Sequence, residues 1–254
     1  MSSTTADTPP LDAPEVVAVG DELVTLPVEV RSAKMFAATF LVDADAARRL
    51  IDDTGLRVSR PRPGTAVCAL SAVQYLDNDL GPYNEIAVAF TVDPHDLAPG
   101  AKAPSPMGGN VSTLIHRLPV NQTFTCEAGR GVWGFPKWVA TIDYTDHGRW
   151  TDAVLVDDGE FVLGLSARKG VVPLPAREMT MSAYSWCDGV LRRTPWVTDN
   201  RRVTARPGGV VVQLGATHPM ARELADLGLP KRAVFCMTAG LMRASFGPAE
   251  IVSA

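Results

Sequence analysis

The sequence predicts an α+β fold that is mainly antiparallel β, with a central β-barrel or strongly bent sheet flanked by a few short helices. Residues 85–92 alternate as a strand does, with Ile86, Val88 and Phe90 on one face and smaller residues on the other. Residues 157–159 read Asp-Asp-Gly between two β-prone runs, which indicates a hairpin turn. Strands seldom alternate with long helices, and this pattern disfavours a Rossmann architecture.

Length and composition fit one globular domain. The 254 residues are 46% hydrophobic and 20% charged, which is ordinary for a folded chain with a substantial core. No internal repeat or clear boundary divides them, so we expect a single domain over residues 17–254. Residues 1–16 are rich in Ser, Thr, Ala, Asp and Pro, and they lack the basic start and apolar centre of a secretory signal. We interpret them as a disordered tail.

Charge, hydropathy and the spacing of Cys and His exclude several kinds of partner. The formal net charge is −4 and no run of Lys or Arg is present, so we expect no nucleic-acid binding. No apolar stretch is long enough to cross a membrane as a helix. The four Cys and four His lack the paired spacings of zinc sites and of disulfide frameworks. We therefore expect a cytoplasmic protein with no metal and no cofactor.

Most of the chain is expected to be strand. In chain order, β-prone segments occur at 22–30, 33–42, 65–76, 85–92, 111–118, 139–144, 150–156, 160–166, 180–186, 209–214 and 233–245. The stretch 93–110 is rich in Pro and Gly, and we expect a long loop there of the kind that often forms a lid or an interface.

Three short helices are expected among the strands. The first spans 46–52 and follows the acidic run 43–45, whose carboxylates suit a helix N-terminus. The second begins at a cap provided by Asn121 and runs to about residue 128. The third spans 219–227 and ends before a glycine.

Residues 129–138, which read Gly-Arg-Gly-Val-Trp-Gly-Phe-Pro-Lys-Trp, hold the best candidate for chemistry. Only five of the 24 basic residues are lysines, and Lys137 alone is enclosed by large aromatic residues, namely Trp133, Phe135 and Trp138. Pro136 restricts the backbone, and three glycines allow a tight bend or a close approach. The segment is typical of a rigid turn that directs one amine into an apolar pocket.

An amine in such a pocket is suited to attack a carbonyl group. The ammonium form of an ordinary lysine cannot attack, and burial among apolar groups favours the neutral amine, which can. The faces of aromatic rings attract cations, and this opposes the effect. The alternative is a surface lysine whose stem lies over the two tryptophans while its charge stays in water.

The context of Lys137 resembles the signature of the acetoacetate decarboxylase family. In that family a Gly-Arg-Glu is followed a few residues later by aromatic-Pro-Lys, and here Gly129-Arg130 is followed by Phe135-Pro136-Lys137. Upstream, residues 83–85 read Tyr-Asn-Glu and resemble the family's Tyr-x-Glu. Residues 42–46 resemble the acidic helix start near the family's N-terminus. The three landmarks occur in the family's order and cover roughly residues 31–164.

The resemblance implies the role of each site residue. Lys137 would form a Schiff base with a small keto acid, and Glu85 would position the substrate or shuttle a proton. Tyr83 and Arg130 would contact the substrate, together with the aromatic residues Trp133, Phe135 and Trp138. Arg31, or Lys34 close by, would hold the substrate carboxylate, with a surface ion pair as the alternative for Arg31. The resemblance also implies a homo-oligomer.

Departures from the family pattern leave the reaction open. The family's decarboxylases usually carry Lys-Lys, whose second cation activates the first, but the second position here is Trp138. Gly131 stands where the family has Glu, and residues 67–76 contain no acid. We expect decarboxylation of a β-keto acid such as acetoacetate. The alternatives are aldolase-dehydratase chemistry on the same lysine, and a non-catalytic module that binds a small molecule.

Overall fold

The structure, a computed structural model, describes residues 15–93 and 110–252, apart from the side chains of Asn110 and Arg177. Its strands are β1 Glu15–Val19, β2 Glu22–Leu26, β3 Val28–Asp43, β4 Arg57–Val58, β5 Thr65–Asn78, β6 Tyr83–Asp93, β7 Asn110–Val120, β8 Lys137–Val139, β9 Thr141–Asp146, β10 Trp150–Asp157, β11 Glu160–Arg168, β12 Val172–Leu174, β13 Arg177–Cys187, β14 Val190–Pro207, β15 Val210–Leu214, β16 Phe235–Phe246 and β17 Glu250–Ile251. The helices are α1 Ala44–Ile51, α2 Thr123–Trp133 and α3 Pro219–Asp226.

Seven of these strands close into a barrel. The order is β6, β5, β3, β16, β14, β13 and β7, and β7 pairs with β6 to complete the ring. A ring in which every pair is antiparallel needs an even number of strands, so a seven-stranded ring must contain a parallel pair. That pair is β7 with β13, and the other six are antiparallel. The predicted central barrel of a mainly antiparallel fold is confirmed.

Parts of the barrel strands are buried on both faces. Along β3, Phe36 and Phe40 point outward and are fully buried, whereas Met35 and Ala37 line the barrel interior. The outward face packs against a second sheet with the order β15, β11, β10 and β9, and against α1 and α3. The outer face is hydrophobic because the second sheet and the helices cover it. The inner face lines a cavity.

Helix α1 begins at its predicted acidic cap, and helix α3 ends just before its predicted glycine. Asp43 caps α1 by accepting a hydrogen bond from the Ala46 amide at 2.7 Å. Helix α2 differs, because Gln122 rather than Asn121 caps it, and it continues to Trp133 instead of ending near residue 128. The glycines at 129 and 131 are therefore helical. No helix in the described part of the chain is long and apolar enough to cross a membrane.

Several boundaries differ from the predicted ones. Strand β1 begins at Glu15, two residues before the expected start of the domain, while residues 1–14 of the predicted tail lie outside the described residues. Most of the predicted loop 93–110 also lies outside them. Strand β14, which the sequence analysis missed, spans 18 residues in the centre of the barrel wall.

Candidate active site

Lys137 is the first residue of β8 and follows directly from the end of α2. Gly134 ends the helix in the left-handed region with φ of 64°, which glycine adopts without strain. Its amide donates to the carbonyl of Arg130 at 3.0 Å. The chain then turns, and β8 pairs in parallel with β7, so that Lys137 lies opposite Leu118. The helix end and the strand pairing together fix where the lysine side chain begins.

The lysine side chain crosses the surface of α2 at Gly129. A Cβ atom built on Gly129 would lie 2.4 Å from Cδ and 2.6 Å from Cε of Lys137. Any residue other than glycine would therefore displace the lysine. Gly131, two residues on, has no atom within 4 Å of such a Cβ. The close approach expected of this glycine-rich segment thus occurs at Gly129, where Lys137 makes it, and also at Gly134, where a Cβ would lie 2.7 Å from the guanidinium of Arg192.

The amine of Lys137 is paired with Glu85 inside the barrel. Nζ lies 2.9 Å from Oε2 of Glu85, and only 4% and 10% of the two side chains are exposed. Glu85 projects from β6, where it lies opposite Val73 of β5. Charged side chains are rarely buried this deeply unless they are paired, because removing each charge from water costs several kcal/mol. The pair concentrates both charges at one point of an apolar interior.

Two tyrosines complete the surroundings of the ion pair. The hydroxyl of Tyr75 donates to Oε1 of Glu85 at 3.2 Å, and the ring of Tyr75 stacks on Tyr83 at 4.3 Å. Nζ of Lys137 lies 5.1 Å from the centre of the Tyr83 ring. Burial, reinforced by the charge of Glu85, raises the pKa of Tyr75 well above its ordinary value. Tyr75 therefore keeps its proton and remains a hydrogen-bond donor.

A cavity of about 240 Å³ lies in front of this group. All seven barrel strands contribute to its wall, and most of the lining residues are apolar. Five of the chain's eight methionines line it, at positions 35, 179, 181, 237 and 242. Among the lining side chains that the structure describes, Lys137 and Glu85 are the charged ones. The geometry thus presents one amine and one carboxylate at the wall of an apolar chamber.

Three further residues proposed from the sequence also line the cavity. They are Tyr83, Trp133 and Phe135, and each is more than nine-tenths buried. The rings of Trp133 and Phe135 stack with centres 6.0 Å apart, and the indole of Trp133 donates to the carbonyl of Gly247 at 2.8 Å. These contacts hold both rings in place as parts of the chamber wall.

The structure places the other three proposed residues away from the cavity lining. Arg31 lies on the exposed side of β3 and forms ion pairs with Asp77 and Asp79, which is the surface alternative. Trp138 packs against the outer core and donates to Asp157 at 2.9 Å. The guanidinium of Arg130 donates to the carbonyl of Lys137 at 3.2 Å, so Arg130 holds the backbone of Lys137.

Sequence reasoning missed Tyr75. It lies directly opposite Tyr83 in the β5–β6 hairpin, on the same face as Glu85. The two β-prone runs at 65–76 and 85–92 indicate that these strands exist, but only the observed pairing of β5 with β6 brings Tyr75 beside Glu85. No group of three or more His, Cys, Asp or Glu side chains that could hold a metal ion occurs among the described residues.

Solved structures share this fold. An acetoacetate decarboxylase from Legionella pneumophila matches over 100% of this chain and 98% of its own, with 14% identity and a TM-score of 0.63. A second acetoacetate decarboxylase matches over 89% of both chains, with 18% identity and a TM-score of 0.60. The enduracididine biosynthesis enzyme MppR, complexed with pyruvate, covers 89% of this chain and 90% of its own, with 14% identity and a TM-score of 0.64.

Sequence comparison gives the family. A search of curated proteins finds no significant match. The family model for acetoacetate decarboxylase, in contrast, matches residues 16–241, which is most of the chain and includes the barrel strands up to the middle of β16. The chain therefore belongs to the acetoacetate decarboxylase family.

Proposed function

We propose that this protein is a carbon–carbon lyase that forms a Schiff base between Lys137 and a keto acid, and that it decarboxylates a β-keto acid. The observation that carries the proposal is the buried amine of Lys137, 2.9 Å from the carboxylate of Glu85 at the wall of an apolar cavity. An amine, a proton acceptor within hydrogen-bond reach and a closed space are what imine formation needs. Family membership supports the same chemistry.

The first half of the reaction forms the iminium. A proton passes from the ammonium of Lys137 to Glu85 across their contact, which leaves a neutral amine. The amine nitrogen adds to the substrate carbonyl carbon, and a proton moves from that nitrogen to the oxygen to give a carbinolamine. Glu85, now a carboxylic acid, returns its proton to the hydroxyl, which leaves as water. Tyr75 holds the carboxyl group of Glu85 in position throughout.

The second half breaks the carbon–carbon bond. The electron pair of the bond to the carboxylate moves toward the iminium nitrogen, so that carbon dioxide leaves and an enamine remains. A positive and a negative charge disappear in this step, and an apolar chamber favours the loss of separated charges. Protonation of the enamine carbon and addition of water then release the ketone and restore Lys137.

Aldol-type condensation on the same lysine is the second candidate. Acetoacetate is a small molecule, and a chamber of about 240 Å³ has room for more than its iminium. MppR has been solved with the condensation product of pyruvate and imidazole 4-carboxaldehyde. The enamine of Lys137 could attack an aldehyde instead of a proton. The missing second lysine, replaced by Trp138, gives this candidate further support.

A direct assay distinguishes decarboxylation from aldol-type condensation. We expect carbon dioxide release from acetoacetate by the unmodified protein and none by the Lys137→Met variant. Without carbon dioxide release, absorbance of a conjugated iminium from pyruvate and an aldehyde would establish the condensation instead. Quenching of tryptophan fluorescence by these compounds, with neither reaction, would favour the non-catalytic binding module. A homo-oligomer remains a proposal from family membership, and light scattering tests it.

A further inference from the structure

We propose that the carbonyl compound that reacts with Lys137 carries an apolar chain of about six or seven carbon atoms, which extends along the barrel interior. The inference rests on the proposed Schiff-base function and names its substrate class. Three features of the chamber support it, namely a patch of small residues beyond Glu85, a methionine-rich wall and the volume of the cavity.

Small residues leave space next to the ion pair. Two positions beyond Glu85 on β6 is Ala87, which pairs with Ser71 of β5, and Ser71 pairs with Ala37 of β3. Two positions further, Ala89 pairs with Ala69. All five line the cavity. A strand advances about 3.4 Å per residue, so this patch, which we term the small-residue floor, extends about 14 Å from Glu85. A chain bound at Lys137 can lie over it.

The rest of the wall suits a flexible apolar group. The methionines at 35, 179, 181, 237 and 242 come from three strands of the barrel, β3, β13 and β16. Methionine has three rotatable bonds and a polarizable thioether, so it adapts to ligands of varying shape. A small, polar keto acid would leave most of this surface in contact with water. An alkyl chain would cover it.

The volume of the cavity limits the length of the ligand's apolar chain. An engineered apolar cavity of about 150 Å³ holds benzene, which has six carbon atoms. In proportion, the cavity of about 240 Å³ holds about nine to ten non-hydrogen atoms. A methyl ketone with a six-carbon chain, 2-octanone, has nine. Acetone has four, and it would leave more than half of the space unfilled.

Borohydride trapping of a series of methyl ketones tests the inference. The amine condenses with the ketone and releases water, and hydride from borohydride then reduces the iminium to a stable secondary amine. We expect the adduct on Lys137, read from intact mass at limiting ketone, to increase at least about tenfold from acetone through 2-pentanone to 2-octanone. Burial of each methylene contributes up to about fourfold. Equal or weaker trapping of 2-octanone would overturn the inference.

The same series separates this inference from the proposed function. If acetone and acetoacetate give adducts but the longer ketones do not, the Schiff-base function stands and the apolar chain is excluded. If no carbonyl compound is trapped on Lys137, the proposed function fails and the inference fails with it. If 2-octanone is trapped best, both hold, whether or not the compound is later decarboxylated.

A cavity-filling variant tests where the apolar chain of the ketone lies. Ala87→Leu places a bulky group on the small-residue floor, and we expect the ratio of 2-octanone to acetone adduct to fall toward one. Thr25→Leu adds the same side chain at an exposed position of β2 and should keep the ratio of the unmodified protein. An unchanged ratio in Ala87→Leu would overturn the location. Ala89→Leu is the second variant if Ala87→Leu does not fold, and the ketone series of the unmodified protein decides the substrate class on its own.

Discussion

At the scale of single residues, the account depends on the ion pair between Lys137 and Glu85. The two side chains are 4% and 10% exposed, so Lys137 is stabilised mainly by Glu85, and Glu85 by Lys137 and Tyr75. Removing one partner of a buried pair leaves an uncompensated charge, whereas removing both leaves an apolar surface. The pair should therefore behave as a unit in stability as well as in chemistry.

A double-mutant cycle measures this coupling. We expect Lys137→Met to lower the free energy of unfolding at pH 7 by about 3–5 kcal/mol, because the carboxylate of Glu85 is left buried and unpaired. The double variant with Glu85→Gln should regain most of that loss. Urea denaturation of the two single variants and the double variant gives the coupling energy. A double variant that is less stable than either single variant would contradict the coupling.

The aromatic and proline pattern around Lys137 predicted a buried lysine, and the resemblance added Glu85 and Tyr83; the structure places all three at the cavity. The same reasoning placed Arg31 at the site, but the structure does not. Its neighbour Val30 lines the cavity, and successive residues of a strand point to opposite faces. Trp138 follows Lys137 in β8 and points away for the same reason. Strand alternation would have separated Trp138 from Lys137 beforehand. Arg31 could not be placed in this way, because the pairing of β3 with β5 shifts its register between Val30 and Ala33.

At the scale of elements, the connection from α2 to β8 positions the amine. The helix end fixes the start of the lysine side chain, and Gly129 gives it a path across the helix surface. The nearest atoms to a Cβ at Gly129 belong to the flexible lysine side chain, so a substitution there displaces the lysine more readily than the backbone.

Two glycine variants of the same helix test this path. We expect Gly129→Ala to remove at least 90% of borohydride-trappable adduct while the protein still folds, because the new methyl group occupies the place of Lys137 Cδ. Gly131→Ala is the matched control, since its Cβ meets nothing within 4 Å, and it should stabilise the helix by about 0.5–1 kcal/mol. Full trapping in Gly129→Ala, read by intact mass, would contradict the proposed path.

Strand β14 shows where element prediction fails. It contains Pro195 and a polar run at 199–202, and these residues are typical of loops and edge strands. In the barrel, however, alternate residues of β14 face the cavity, where Thr198 and Asn200 are tolerated. Hydrophobic alternation marks strands that face a packed core, and a strand that faces a chamber lacks part of that signal.

At the scale of the whole molecule, the barrel is joined to helix α3 by contacts distant in sequence. His116 and Arg117 of β7 both bind the carboxylate of Glu223 on α3, more than 100 residues away, with His116 at 3.0 Å. Burial acts to raise the pKa of Glu223, but the hydrogen bonds from His116 and Arg117 outweigh it and lower the pKa from 4.5 to about 2. The sequence did not predict this contact, and it left a closed barrel and a strongly bent sheet as alternatives, because both features depend on long-range pairing.

The lowered pKa of Glu223 predicts an acid-sensitive contact. A carboxyl whose pKa is depressed on folding stabilises the folded state above its ordinary value, and that stabilisation is lost as the pH falls from about 4.5 to about 2. We expect Glu223→Gln to lower the free energy of unfolding at pH 7 by up to about 3 kcal/mol and to flatten its dependence on pH over that window. Urea denaturation at several pH values measures both effects.

An exposed carboxylate provides the control for this experiment. Glu22→Gln changes the same functional group on the exposed face of β2, and it should leave both the stability and its pH dependence unchanged. If Glu223→Gln keeps the pH dependence of the unmodified protein between pH 4.5 and 2, the contact between β7 and α3 does not have the assigned role.

The central claim is that Lys137 is the nucleophile, and trapping with a keto acid tests it most directly. The protein is incubated with acetoacetate or pyruvate, reduced with borohydride, and its intact mass and peptide map are read, with Lys137→Met as the control. The account predicts one substrate-dependent adduct on Lys137, none in the variant, and none on exposed lysines such as Lys34 and Lys169. An unmodified Lys137 across a panel of carbonyl compounds of different chain lengths would contradict the account.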